Sequence, residues 1–364
     1  MTLALVAGTR PEIIKMSTVL RRLEQERVDS CLILSGQHYD HEMCTAFIEE
    51  LGLPAPISTL RLESTRPASQ IGEMMSGLEH ALAPITPQLL LVQGDTNTML
   101  AAALTGVKLG LTVAHIEAGL RSYDWRMPEE HNRRMVDHVS DILFAPTERS
   151  RRNLLSEQVH GEIFVTGNTV IDAVTHYLPI AMKSSCIMTQ IPYDEFCFAT
   201  LHRKENVDSP EVLRGIVETL LEMETPVAFA VHPRTSLRLR EFGLFDKLAL
   251  SPRICLLPPM GYFDTLVVMK RCKFILTDSG GLQEEATVPS IKKPVIVLRS
   301  STERPEAVEA GFARVAGIEK KGVKRAIMAV LDSHARLPDC WPFGDGKAAE
   351  RIVGLIQDYM KDAN

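Results

Sequence analysis

Leu3-Ala4-Leu5-Val6-Ala7-Gly8-Thr9-Arg10-Pro11-Glu12-Ile13-Ile14-Lys15 joins an apolar run to an amphipathic one through a single glycine. The five apolar residues have the length and composition of a buried parallel strand. After them Ile13, Met16, Leu20 and Leu23 recur at helical spacing. Thr9 and Glu12 fit a capping box, so the spacing predicts a helix starting there. Gly8 permits a tight turn with close backbone approach. Free N–H groups and the dipole at a helix start attract anions, and Arg10 and Lys15 add two cations. The stretch reads as a strand–turn–helix unit with a place for phosphate or another anion at the strand's carboxyl end. From these residues alone, an ordinary turn with solvated cations is the alternative.

The same alternation runs through the chain. Apolar runs predict strands at 3–7, 31–35, 89–93, 113–116, 142–145 and 162–166, then at 196–200, 227–231, 254–257, 274–277 and 294–298. Amphipathic stretches such as 66–83 and 209–223 lie between them. This βαβ patterning predicts parallel sheets covered on both faces, once per half. A chain of 364 residues exceeds one ordinary core. The predicted architecture is therefore α/β, with two Rossmann-like domains: 1–170 with a C-terminal helix at about 346–364, and 171–345. Segment 169–184 reads as helical, and the weakly patterned 185–195, with Pro192, reads as the linker. Doubly wound sheets bind ligands at their carboxyl edges, so the active site is expected in the cleft between domains.

Composition narrows the class. Apolar residues make up 45% and charged residues 24%, as in a soluble globular protein. Scattered basic residues in a chain of net charge −6 leave no nucleic-acid footprint. Seven cysteines without a C-x-x-C pair argue against zinc and for a reducing cytoplasm. The N-terminal apolar run is too short for a signal peptide or a membrane span, and no other stretch reaches that length.

Polar residues cluster after the strands. Gln37-His38 follow the second, Asp95-Thr96-Asn97-Thr98 the third, and Glu117-Ala118-Gly119-Leu120-Arg121 the fourth. Pro128-Glu129-Glu130-His131-Asn132-Arg133 open a helix, where Glu129 and Arg133 stand four apart and are expected to pair. Each carboxylate alone reads as a cap or dipole partner. Asp95, Glu117 and Glu129 on one sheet edge together suggest a general acid and base with tuned pKa values. A metal site of three oxygens would need further ligands, and none completes a set. In the second half His202, Arg203 and His232 end strands and suit an anionic ligand, with solvated strand ends as the alternative. Thr277-Asp278-Ser279-Gly280-Gly281-Leu282-Gln283-Glu284-Glu285 forms a second anion-binding turn into a helix, with Glu285 placed to accept ribose hydroxyls. Neither the G-x-G-x-x-G nor the P-loop spacing is present. Thr302-Glu303-Arg304-Pro305-Glu306 opens another helix, with Arg304 expected toward the cleft.

Read in order, these motifs resemble the non-hydrolysing UDP-N-acetylglucosamine 2-epimerases. The resemblance also takes in Gln93-Gly94, His115-Ile116 and Val165-Thr166-Gly167-Asn168-Thr169-Val170-Ile171-Asp172-Ala173, and it spans nearly the whole chain. It implies the glycosyltransferase-B fold, with the last helix crossing back to the first domain. It implies interconversion of UDP-GlcNAc and UDP-ManNAc without NAD, by elimination of UDP to 2-acetamidoglucal and re-addition; with no metal-ligand cluster in the sequence, no metal is expected either. By motif, Asp95, Glu117 and Glu129 become the acid/base carboxylates, and His202 faces the diphosphate. Arg10, Lys15, Gln37, Arg133, Arg203 and His232 become substrate ligands. Ser279, Gly280 and Gly281 become the phosphate loop, Glu285 the ribose ligand and Arg304 a nucleotide-side residue. The expected assembly is a homodimer.

The chain departs from the family pattern at three places. Bacterial members often carry Gln where Met260 stands and Phe where Thr265 stands, so uracil contact there is expected through backbone. Asp40 replaces an amide of members that UDP-GlcNAc activates. A carboxylate repels a diphosphate, so no activator requirement is expected. A 2-epimerase of a UDP-2,3-diacetamido-uronic acid is the second reading of the resemblance. A UDP-sugar glycosyltransferase of the same fold is a further alternative, although three carboxylates around a donor sugar fit it less well.

Overall fold

The computed structural model describes residues 2–36, 47–332 and 337–362. Gln37, His38 and Asp40 lie outside the described residues. The chain divides into two compact units, residues 1–173 with 343–364 and residues 174–342.

The first unit holds a seven-stranded sheet. Its strands are β1 (Thr2–Ala7), β2 (Asp29–Leu34), β3 (Ser58–Thr59), β4 (Leu89–Gln93), β5 (Thr112–Ile116), β6 (Ile142–Ala145) and β7 (Glu162–Val165). Their order is β3-β2-β1-β4-β5-β6-β7, and every pairing is parallel. The second unit holds six strands: β8 (Cys197–Leu201), β9 (Val227–Val231), β10 (Ile254–Leu257), β11 (Phe274–Thr277), β12 (Val295–Val297) and β13 (Ala313–Val315). Their order is β10-β9-β8-β11-β12-β13, again wholly parallel. Strand order reverses between β1 and β4 in one sheet and between β8 and β11 in the other. Those are the topological switch points, where doubly wound sheets open a crevice for ligands.

The central strands are unbroken apolar runs because helices cover both faces. Leu3–Ala7 and Leu89–Val92 are almost wholly excluded from solvent, and burying each Val, Leu or Ile contributes about 1.5–3 kcal/mol. Helices Pro67–Leu82, Pro128–Val139, Pro210–Glu222 and Pro233–Glu241 each begin on a proline. The missing N–H belongs to an unpaired group there anyway, and the fixed φ suits the helix. Strands β3 and β13 have two and three residues and no apolar run, so periodicity did not predict them. Residues 185–195, expected as a linker, belong to the second unit and include a 3-10 turn at Ile187–Gln190. The division between units falls instead inside the continuous helix Thr169–Ser184.

Helix Ala348–Asp362 belongs to the first unit and packs on helix Arg10–Gln25. Asp172 accepts the N–H groups of Ala348 (3.1 Å) and Ala349 (2.9 Å), capping that last helix. Among the described residues, no helix is long and apolar enough to cross a membrane.

Candidate active site

At the first unit's switch point, β1 runs through Gly8 into helix Arg10–Gln25. A Cβ on Gly8 would stand 2.2 Å from Thr98 Oγ1 and 2.5 Å from Ser35 Oγ, so the turn admits no side chain. Glu12 Oε2 accepts the N–H of Gly8 (2.6 Å) and of Thr9 (2.8 Å), while Oε1 accepts the Thr96 hydroxyl (2.5 Å). The helix start expected to attract an external anion thus holds the chain's own carboxylate. A tethered carboxylate satisfies those amides at little entropic cost. Arg10 is half-buried, its guanidinium 5.4 Å from the centre of the Phe47 ring.

Burial lifts the Glu12 carboxyl to about 7, against the lowering effect of Thr96, Gly8 and Thr9. A carboxyl with a raised folded pKa stabilises the fold while protonated in both states. That contribution is complete below about 4.5 and is lost as pH rises through about 7. Wild type should therefore lose on the order of 2 kcal/mol more stability than Glu12→Gln between about pH 5 and pH 8. Urea unfolding at the two pH values measures this, and parallel stability curves would refute it.

Lys15 is buried, and its ammonium meets both Glu117 oxygens at 2.7 Å. The cation expected to face an anionic ligand is therefore committed to an internal carboxylate, brought to it by the neighbouring strand. Glu117 also accepts hydrogen bonds from the side-chain amides of Gln93 and, at 3.4 Å, Asn168. Its backbone is left-handed, with φ at 70°. For a residue with a Cβ this costs about 1–3 kcal/mol, and such strain gathers at functional positions. Phe144 O holds the turn by accepting the N–H of Glu117 (3.1 Å) and of Ala118 (3.2 Å).

Asp95 follows β4, one strand over, and is half-buried. Arg133 donates to its carboxylate at 2.6 Å, and Asn132 donates to its carbonyl at 3.0 Å. Glu129 stands in the first turn of helix Pro128–Val139, half-buried, and makes no ion pair among the described residues. The pairing with Arg133 expected from the four-residue spacing does not form. Asp95 and, at 3.0 Å, the buried Glu130 take that guanidinium instead. Burial works to raise the Glu130 carboxyl, but the Ser122 amide and hydroxyl with Arg133 and Arg134 hold it low.

In the second unit His202 leaves β8 beside Asp278, which leaves β11. Asp278 is fully buried. It accepts His202 Nδ1 (2.9 Å), the N–H of His202 (3.1 Å) and Arg203 (3.0 Å), and Asn206 Nδ2 (3.0 Å). Burial opposes its ionisation, but the His202 ring and these donors hold its pKa below the ordinary value. The His232 ring lies 5.9 Å from that of His202, and its Nδ1 accepts the N–H of Arg234 at 3.2 Å. Burial and then the His202 charge push the His232 pKa down.

Ser279 occupies the N-cap position of the short helix Gly280–Glu285 without a side-chain capping bond, and Gln283 donates back to its carbonyl at 3.0 Å. Glu285 is buried, and its charge adds to burial in raising the pKa of the Tyr262 hydroxyl. Gly280 sits against Glu303, where a Cβ would stand 2.6 Å from Oε1, whereas Gly281 is unobstructed. Arg203 approaches Glu303 at 3.4 Å. Arg304, expected toward the ligand, is buried with its guanidinium on Glu284. Met260 is half-buried, and the Thr265 hydroxyl donates to Gly261 O (2.9 Å) within its own helix. Among the described residues, no group of three His, Cys, Asp or Glu side chains is placed to hold a metal ion. Gln93, Asn168 and Asp278 carry no role in the motifs as read from sequence. Each lies within or beside a quoted motif, and that is the only signal it carries.

The two parallel sheets, each reversing strand order where the polar residues collect, constitute the glycosyltransferase-B fold. The UDP-N-acetylglucosamine 2-epimerase family description matches residues 21–357. The UDP-N-acetylglucosamine 2-epimerase of Methanocaldococcus jannaschii is 44% identical over 98% of this chain and 99% of its own. The crystal structure of that organism's UDP-GlcNAc 2-epimerase with UDP-GlcNAc and UDP superposes with a TM-score of 0.91, at 44% identity over 98% of this chain and 99% of that one. The UDP-2,3-diacetamido-2,3-dideoxy-D-glucuronate 2-epimerase of Pseudomonas aeruginosa is 35% identical over 98% of this chain and 99% of its own. The chain belongs to the UDP-N-acetylglucosamine 2-epimerase family, and it is an epimerase, an isomerase.

Proposed function

We propose that this enzyme interconverts UDP-GlcNAc and UDP-ManNAc. The observation that carries this reading is Glu117: a buried carboxylate in left-handed backbone, beside Lys15 and one strand from Asp95. The higher identity to a UDP-GlcNAc 2-epimerase, 44% against 35%, favours that substrate over the uronic acid.

In this reading a carboxylate removes the C2 proton while the C1–O bond to UDP breaks, leaving 2-acetamidoglucal. UDP oxygen then re-forms the bond to C1 as a second carboxylate delivers a proton to the opposite face of C2. Asp95, Glu117 and Glu129 share these two proton transfers. Charge grows on the departing diphosphate, and His202 answers it with the ring nitrogen that Asp278 leaves open. Ser279, Gly280, Gly281, Arg203 and His232 complete the phosphate side. Glu285 holds ribose, and the backbone near Met260 and Thr265 holds uracil. Lys15, Arg133 and Arg304 act by holding Glu117, Asp95 and Glu284. Arg10 and Gln37 remain assigned to substrate by the resemblance. A cytoplasmic homodimer that needs neither NAD nor metal completes the proposal.

Turnover in deuterated water should place deuterium at C2 of both epimers, as followed by NMR. Conversion with C2 hydrogen wholly retained would exclude the elimination. If UDP-2,3-diacetamido-glucuronate gives a much higher kcat/KM than UDP-GlcNAc, the uronic acid becomes the substrate.

A further inference from the structure

Asp137 and His115 are buried beneath the first sheet's carboxyl edge, 0% exposed, and neither is assigned to substrate. His115 Nδ1 is 2.7 Å from Asp137 Oδ1, and its Nε2 is 2.9 Å from the carbonyl oxygen of Gly94. Asp137 also takes Arg121 at 2.7 Å and the N–H of Gly119 at 3.2 Å. Arg121 is held in turn by Glu157. These contacts join three segments. Gly94 immediately precedes Asp95, Gly119 lies two residues beyond Glu117, and Asp137 sits on the helix whose first turn carries Glu129. Gly119 is itself constrained, with φ at 82° and space for no Cβ, which would meet Ser150 O at 2.3 Å. The left-handed backbone at Glu117 is thus braced on one side by Phe144 O and on the other by Asp137.

We propose that the buried Asp137–His115 pair is a positioning element that keeps the Asp95, Glu117 and Glu129 segments in register, so that proton removal at C2 is followed by delivery to the opposite face. This rests on the epimerase reading above. Both side chains are fully buried, so neither presents a surface to substrate. An asparagine at 137 would turn an amide toward the donors of His115, Arg121 or Gly119. The three segments would then be free to shift against one another, and misplacement by about an ångström suffices to cost about 10²-fold.

Asp137→Asn should lower epimerisation by about 10²-fold while leaving UDP affinity within about twofold. The discriminating measurement is a ratio. In deuterated water NMR separates UDP-GlcNAc that has exchanged C2 hydrogen without inversion from UDP-ManNAc. Loss of register should raise that ratio several-fold, whereas partial unfolding lowers both products together. An unchanged ratio overturns the proposal, whatever the rate. His115→Gln serves the same test if Asp137→Asn does not fold. Wild type that converts no UDP-GlcNAc would instead sink the UDP-GlcNAc reading. Positioning is then judged by amide hydrogen exchange, which should accelerate at 94–95 and 117–119 in Asp137→Asn. Unaltered exchange there overturns it.

Discussion

Glu117→Gln is expected to lower kcat by roughly 10²-fold or more, the usual scale for a positioned acid or base, and also to destabilise the fold. Lys15 and Glu117 are each less than a tenth exposed, and the ammonium contacts both carboxylate oxygens. Removing one partner of such a pair strands the other charge, at a cost of about 3–5 kcal/mol. The double variant Lys15→Met/Glu117→Gln should recover most of that stability and none of the turnover. This non-additivity separates the two roles, because contacting residues couple in stability but a lost proton acceptor is not restored. Urea unfolding and steady-state kinetics on Lys15→Met, Glu117→Gln and the double variant measure it. A Glu117→Gln enzyme with near-normal turnover would reduce Glu117 to a structural anchor for Lys15.

The second large effect is expected at Asp278. Its carboxylate takes two backbone amides, the His202 ring and the Asn206 amide. Asparagine at that position keeps one oxygen and turns two hydrogens toward donors. Each buried group left unmatched costs about 1–3 kcal/mol, so Asp278→Asn should lose stability, UDP affinity and about 10²-fold in turnover together. His202→Ala should lose UDP affinity and turnover with little change in stability. The His202 side chain is 37% exposed, and the remaining donors still satisfy Asp278. Calorimetry with UDP and thermal melts distinguish the two variants. If His202→Ala binds UDP and turns over like wild type, the ring does not serve the diphosphate.

What the sequence made legible was local. Leu3–Ala7, Leu89–Gln93 and Val227–Val231 are strands because each is a run that only a doubly covered sheet can bury. Loops after these strands carry polar residues at the sheet edges, where the motifs put them. What remained hidden was long-range pairing. Lys15 meets Glu117 across 102 residues of chain, and nothing in either motif announces the other. Nothing in the Arg304 motif announces that its guanidinium meets Glu284, which lies in a different helix. Glu12 reads correctly as a cap, yet its consequence, that it fills the anion place at its own helix start, appears only with the distances. Glu129 shows the converse failure. Helical spacing offers Arg133 as its partner, but Asp95 and Glu130 take that guanidinium.

The first unit is built from both ends of the chain. Helix Ala348–Asp362 contributes Ile352, Val353 and Ile356 to its interior, and Asp172 waits to cap the first amides of that helix. A ribosome releases these residues only after residues 174–342 have emerged. That takes on the order of ten to thirty seconds at 5–20 residues per second. Until then the face of helix Arg10–Gln25 that receives the last helix is bare apolar surface, open to chaperones and to other nascent chains. The second unit, continuous in sequence, is free to fold during that wait. The unit begun first is therefore completed late, and truncation within helix Ala348–Asp362 would leave it unfinished.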